Sequence, residues 1–136
     1  MDYAEYEKEC EIIRAENGDL IQIFKSELEK KGLSPKTIKA HVDNVDLYIN
    51  DFLLREDAVH MESGLGRLDT FFYFFIHKCM WSTPANVKTT AASLKKFYKC
   101  MLENGKIDKE DYQYFCETLK EGIPVWQEEC ADFNDW

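Results

Sequence analysis

The chain has 136 residues, 45% of them hydrophobic and 14% aromatic, which is the size of a single domain and enough apolar material for one core without staples. Its 26 acids against 17 Lys and Arg give a net charge of −9, so any basic surface has to be local. The most apolar run, FFYFFI at 71–76, is too short to span a bilayer, and the acidic start MDYAEYEKEC lacks the basic and apolar regions of a secretory signal.

The first helix is predicted over roughly residues 2–16, with Asn17-Gly18 as its C-cap. A second follows from about Asp19 to Lys31, with Leu20, Ile23, Phe24 and Leu28 on one side and Gly32 ending it. Ser34 then offers an N-cap, and Pro35 fits the first helical position, where its missing N–H costs nothing. Ile38, Val42, Val45, Ile49 and Phe52 recur at spacings of four and three, the apolar stripe of an amphipathic helix.

REDAVHMESGLGR reads as a turn, and G-L-G at 64–66 as a helix start. RLDTFFYFFIHKCMW is apolar on most sides, which predicts a central helix. Ser82 or Thr83 caps the next one and Pro84 begins it. Its core face is Val87, Ala91, Leu94, Tyr98 and Met101, and Asn104-Gly105 ends it. From Asp108 a helix runs to about Lys120, followed by a break at Gly122-Ile123-Pro124 and a short last helix. The expected fold is therefore all-α, one compact bundle of about five or six helices joined by short linkers. Three parts are expected: an acidic helix at 1–18, a helical bundle at 19–107, and acidic, aromatic helices at 108–136 packing on it.

Charge is unevenly distributed along the chain. Residues 1–24 carry −5, residues 25–102 carry +3 and residues 103–136 carry −7. Within the basic centre, STPANVKTTAASLKKFYK at 82–99 holds four lysines and no acid. Lys88, Lys95 and Lys99 stand at i, i+7 and i+11, close to one helix face, with Lys96 beside them and Thr89 and Ser93 nearby. Ammonium and hydroxyl groups without a neutralising carboxylate are the chemistry of phosphate contacts. SPKTIKAH at 34–41 repeats the pattern with Lys36, Thr37, Lys39 and His41, and a helix N-terminus adds positive dipole there.

Two segments carry a family resemblance. GLSPKTIKAHVDNVDLYINDFL and STPANVKTTAASLKKFYKCMLENGKI resemble the core-binding domain of tyrosine recombinases, the phage-integrase family. Leu33, Ser34, Thr37, Ile38 and His41 match the family's first helix opening. Val87, Ala92, Ser93, Leu94, Lys95, Phe97, Tyr98, Met101, Leu102 and Gly105 match the second. The resemblance covers roughly residues 19–107 and implies a SAM-like bundle in which two helices cross a DNA duplex. Carried over by position, the DNA-binding residues would be Ser34, Lys36, Thr37, Lys39 and His41, with Thr83, Lys88, Thr89, Lys95 and Lys99. The chain departs from the family in having no His-x-x-Arg pair, and in the acids Asp43, Asp46 and Asp51 along the helix from Pro35.

Enzymatic readings find little support. The five cysteines include no C-x-x-C pair, which argues against a disulfide framework or zinc site and for ordinary thiols in a reducing cytoplasm. His77 and Cys79 are two residues apart and point about 200° apart on a helix, which is no nucleophile–base pair. No metal, cofactor or catalytic residue is expected. The function expected is a non-catalytic module for double-stranded DNA, as an accessory in recombination or integration. The alternative is a protein-interaction or structural domain that kept an integrase-like fold and lost DNA binding. The aromatics Tyr112, Tyr114, Phe115, Trp126, Phe133 and Trp136 lie among acids, and would either pack on the bundle or dock a recombinase or another protein.

Overall fold

A computed structural model describes residues 2–135; Trp136, counted above with the aromatic tail, lies outside them. Among the described residues all regular structure is helical: α1 (Tyr3–Lys30), α2 (Pro35–Asp46), α3 (Leu68–Lys78), α4 (Pro84–Glu103) and α5 (Lys109–Asn134), with short π and 3₁₀ turns between α2 and α3. No helix among them is long and apolar enough to cross a membrane.

The helix starts follow the local chemistry. Ser34 Oγ accepts from the Thr37 amide at 3.2 Å, and Thr83 rather than Ser82 caps α4, accepting from the Asn86 amide at 3.0 Å. Ser82 is buried instead, and its hydroxyl donates to the Ile76 carbonyl at 3.2 Å. Gly32 and Gly105 follow α1 and α4 at φ +81° and +71°, a backbone region that favours glycine.

Two predicted helix breaks are absent. α1 runs through Asn17-Gly18 without interruption. Asn17 is only 1% exposed, and its amide donates across to the Ile49 carbonyl at 3.2 Å and to Asn50 Oδ1 at 2.8 Å. Its partners lie where α2 loosens into a π turn, Leu47–Asp51, and then a 3₁₀ turn, Phe52–Leu54. Irregular turns leave carbonyls without their usual helical donor, and a buried one needs another. A residue that looked like a cap is thus a tertiary hydrogen-bond donor.

α5 likewise passes through Gly122-Ile123-Pro124. Pro124 is exposed, so water can serve the carbonyl that its missing N–H leaves free. A Cβ on Gly122 would fall 2.4 Å from the Trp126 ring. That ring is buried and stacks on Phe72 with centroids 4.3 Å apart. The glycine makes room for the indole one turn on.

The main core is an aromatic-rich cluster to which α3 gives Phe71, Phe72, Phe75 and Ile76, all buried, and a smaller cluster of Cys10, Ile13 and Leu54 lies apart from it. All five residues predicted for the core face of α4 are buried as well. The segment 61–66, read as a turn and helix start, is a 3₁₀ turn in the core. There the Tyr98 hydroxyl donates to the Met61 carbonyl at 2.7 Å and the Tyr48 hydroxyl to that of Gly64. A Cβ on Gly64 would lie 2.5 Å from the Tyr98 oxygen, so glycine permits the approach. α5 lies antiparallel to α4, with Phe115 against Tyr98, Gln127 donating to the Pro84 carbonyl and Asn134 to that of Ser82.

Candidate nucleic-acid interface

The surface of α4 follows from its buried stripe. Val87, Thr90, Ala91, Leu94, Phe97, Tyr98 and Met101 face inward, which turns Lys88, Ala92, Lys95, Lys96 and Lys99 to solvent on the opposite side. From Lys88 to Lys99 the strip is about 16 Å long at 1.5 Å per residue. All four lysines are exposed, and among the described residues none has a carboxylate oxygen within 4.0 Å. Glu103, one turn beyond, ends the strip.

α2 packs beside α4 through a polar seam. Thr37, His41 and Asn44 stand at i, i+4 and i+7 on α2, and Thr89, Ser93 and Lys96 at the same spacing on α4, so each set forms one ridge. Ser93 Oγ accepts from Asn44 Nδ2 at 2.9 Å, and lies 2.8 Å from His41 Nδ1 and 3.1 Å from the Thr89 carbonyl. Which of the His41–Ser93 pair donates follows the tautomer of the His41 ring, because the single Ser93 proton can go to the Thr89 carbonyl or to Nδ1. Burial first, and then the charge of Lys96, hold the His41 pKa below its ordinary 6.5. At neutral pH the ring is therefore uncharged.

The sequence-predicted residues thus divide into groups. Lys36, Lys88, Lys95 and Lys99 are exposed, and among the described residues no carboxylate oxygen lies within 4.0 Å of their ammonium groups. Thr37 accepts from the Ser34 hydroxyl at 2.9 Å and keeps its own proton to give. Lys39 is bound to Asp43, one turn along α2, at 2.7 Å. Ser34 and Thr83 serve as caps, and Thr89 Oγ1 donates to the Asn86 carbonyl at 3.2 Å. His41 is held in the seam. Lys96, absent from the predicted set, completes the strip; its position between Lys95 and Lys99 was the available signal.

The acidic flanks frame this surface. Because α5 runs antiparallel to α4, its C-terminal acids Glu128, Asp132 and Asp135 lie toward the start of α4, where Gln127 and Asn134 bind. Between exposed charges such repulsion fades over a Debye length, about 8 Å at physiological salt. No protein-family model, curated protein or solved structure matches the chain.

Proposed function

We propose that the chain is a non-catalytic DNA-binding module that lays α4 along duplex phosphates. The observation carrying this reading is the lysine strip, four ammonium groups on a rigid helix that are unpaired among the described residues, within a protein of net charge −9. In so acidic a chain random placement would leave carboxylates among them. A strip of about 16 Å covers roughly half of a 34 Å helical turn, so it meets a few phosphates and reads no bases. Thr37 and Lys36 extend the contact onto α2. The resemblance to integrase core-binding domains extends the proposal to an accessory part in recombination or integration.

The test is fluorescence-anisotropy binding of a labelled duplex of about 25 bp at about 50 and 200 mM salt, with Lys88→Glu, Lys95→Glu, Lys99→Glu as control. Four phosphate contacts give a log–log salt slope near −3.6, so affinity should fall roughly a hundredfold between the two salts. No binding by wild type at the lower salt would end the proposal. A second reading, an interaction domain on the same helical scaffold, is favoured by one observation: the exposed Met80 and Trp81.

A further inference from the structure

Met80 and Trp81 form the turn between α3 and α4 and are 99% and 59% exposed. Large apolar side chains held in water are unfavourable by kilocalories, and a turn needs neither methionine nor tryptophan. The backbone around them is nonetheless pinned. The Ser82 amide donates to the Cys79 carbonyl at 3.1 Å, Asn86 Nδ2 donates to the Trp81 carbonyl at 2.8 Å, and Asn134 Nδ2 donates to the Ser82 carbonyl at 3.0 Å. The turn is fixed by three elements while its side chains face outward.

The same end of the molecule carries further aromatics. Phe133, next to Asn134 on α5, meets His77 edge to face at 4.6 Å, and His77 lies against Tyr73 at 4.2 Å. Tyr73 and Phe133 are 59% and 40% exposed. His77 Nε2 is held by Glu129 at 2.9 Å. Trp, Tyr, Phe and Met are the residue types enriched at the centre of protein interfaces, and a pre-fixed turn removes part of the ordering cost of binding. On α5 stand Glu129, Asp132 and Asp135, while on the Tyr73 side Arg55, Arg67 and Lys78 line an adjoining groove with Glu56 and Asp57.

We propose that this patch is a docking surface for a protein segment that places apolar side chains on Met80 and Trp81 and Lys or Arg side chains on the acidic rim of α5. Charge complementarity selects that occupant. An acidic segment is repelled by α5, and a polyanion more strongly still. The patch is separate from the α4 lysine strip and does not depend on the DNA reading.

The test is selection of random peptides of about 12 residues, displayed on phage, against the full chain, followed by affinity measurement on synthetic peptides. Enriched sequences should combine an aromatic or Leu residue with two or more Lys or Arg. Their affinity should fall about 30-fold or more on Met80→Ser with Trp81→Ser, the scale of a lost hot spot. It should also weaken with salt, and be unchanged by Lys88→Glu with Lys95→Glu. Both serines replace exposed side chains, and an unchanged circular-dichroism melt verifies the fold. Enrichment of acidic or uncharged peptides, binding indifferent to the Trp81 change, or no enrichment at all would overturn the proposal. So would self-association of wild type, abolished by the same serines in sedimentation analysis, since the occupant would then be a second copy.

Discussion

His41 Nδ1 and Ser93 Oγ lie 2.8 Å apart across the seam between α2 and α4, and this bond joins the two helices that carry the proposed phosphate contacts. Its energetics depend on pH. Burial and the nearby Lys96 depress the His41 pKa in the folded state, so the unfolded chain binds the proton more readily. The resulting stability is complete above the ordinary value of 6.5 and declines as pH falls through it toward the folded value. An NMR titration of the His41 ring should give a midpoint below 6.5, and Lys96→Ala should raise it only part of the way, because burial is the larger cause. A midpoint at or above 6.5, or one fully restored by Lys96→Ala, would contradict this account. The fall in melting temperature on acidification should also be shallower in His41→Asn than in wild type.

Two helical glycines should respond oppositely to alanine. Gly18 has nothing within 4 Å of a built Cβ, and it sits inside α1. Gly18→Ala should therefore stabilise the protein by about 0.5–1 kcal/mol through helix propensity. At Gly122 the same methyl would meet the Trp126 ring at 2.4 Å, and that ring is clamped against Phe72. Overpacking of about 1–3 kcal/mol should outweigh the propensity gain, so Gly122→Ala is expected to destabilise. Urea midpoints of the two variants decide the matter; a shift in the same direction would refute the packing argument.

The glycines also show how far the sequence could be read. Caps written in local chemistry were legible: Ser34 with Pro35, Thr83 with Pro84, and glycine after α1 and α4. The apolar stripes of α2 and α4 were legible for the same reason, since periodicity is local. Asn17-Gly18 and Gly122-Pro124 were misread because their meaning is tertiary. Asn17 serves a carbonyl 32 residues away, and Gly122 makes space for an indole that needs Phe72 from another helix. The site divides along the same line. Spacing alone placed Lys88, Lys95 and Lys99 on one face. That Asp43 neutralises Lys39 was open to an i, i+4 reading, whereas the bond from His41 to Ser93 spans 52 residues and leaves no local trace.

The thiols give an independent check of the packing. Cys10, Cys79, Cys100 and Cys130 are buried, and Cys116 alone is partly exposed. Burial, and then its bond to the Glu27 carboxylate, push the Cys100 thiol up to about 12, while burial also raises Cys79. Reaction with an aromatic disulfide reagent near pH 8 should show one fast thiol among the five, with the others released only on denaturation. Cys116→Ser should remove the fast phase. A burst of two or more equivalents, or one surviving that substitution, would mean that the core opens more readily than its packing implies.

The two lysines nearest the seam should separate pairing from phosphate contact. Lys39 and Lys96 are both exposed, but Lys39 is held by Asp43 at 2.7 Å whereas Lys96 is unpaired among the described residues. Binding a phosphate through Lys39 would require parting from Asp43 or bringing that carboxylate along. Lys96 has no such opposition and stands between Lys95 and Lys99 on the strip. Lys96→Ala should accordingly weaken duplex binding severalfold and reduce the magnitude of the salt slope by about one, as the loss of a single phosphate contact does. Lys39→Ala should leave both nearly unchanged, and Asp43→Asn should tighten binding by freeing Lys39. If Lys39→Ala costs as much as Lys96→Ala, the duplex lies across α2 as much as α4 and the strip is not the main contact. If neither substitution matters while the triple Glu variant still fails to bind, the variant acts by general repulsion, and the lysines are not individual phosphate ligands.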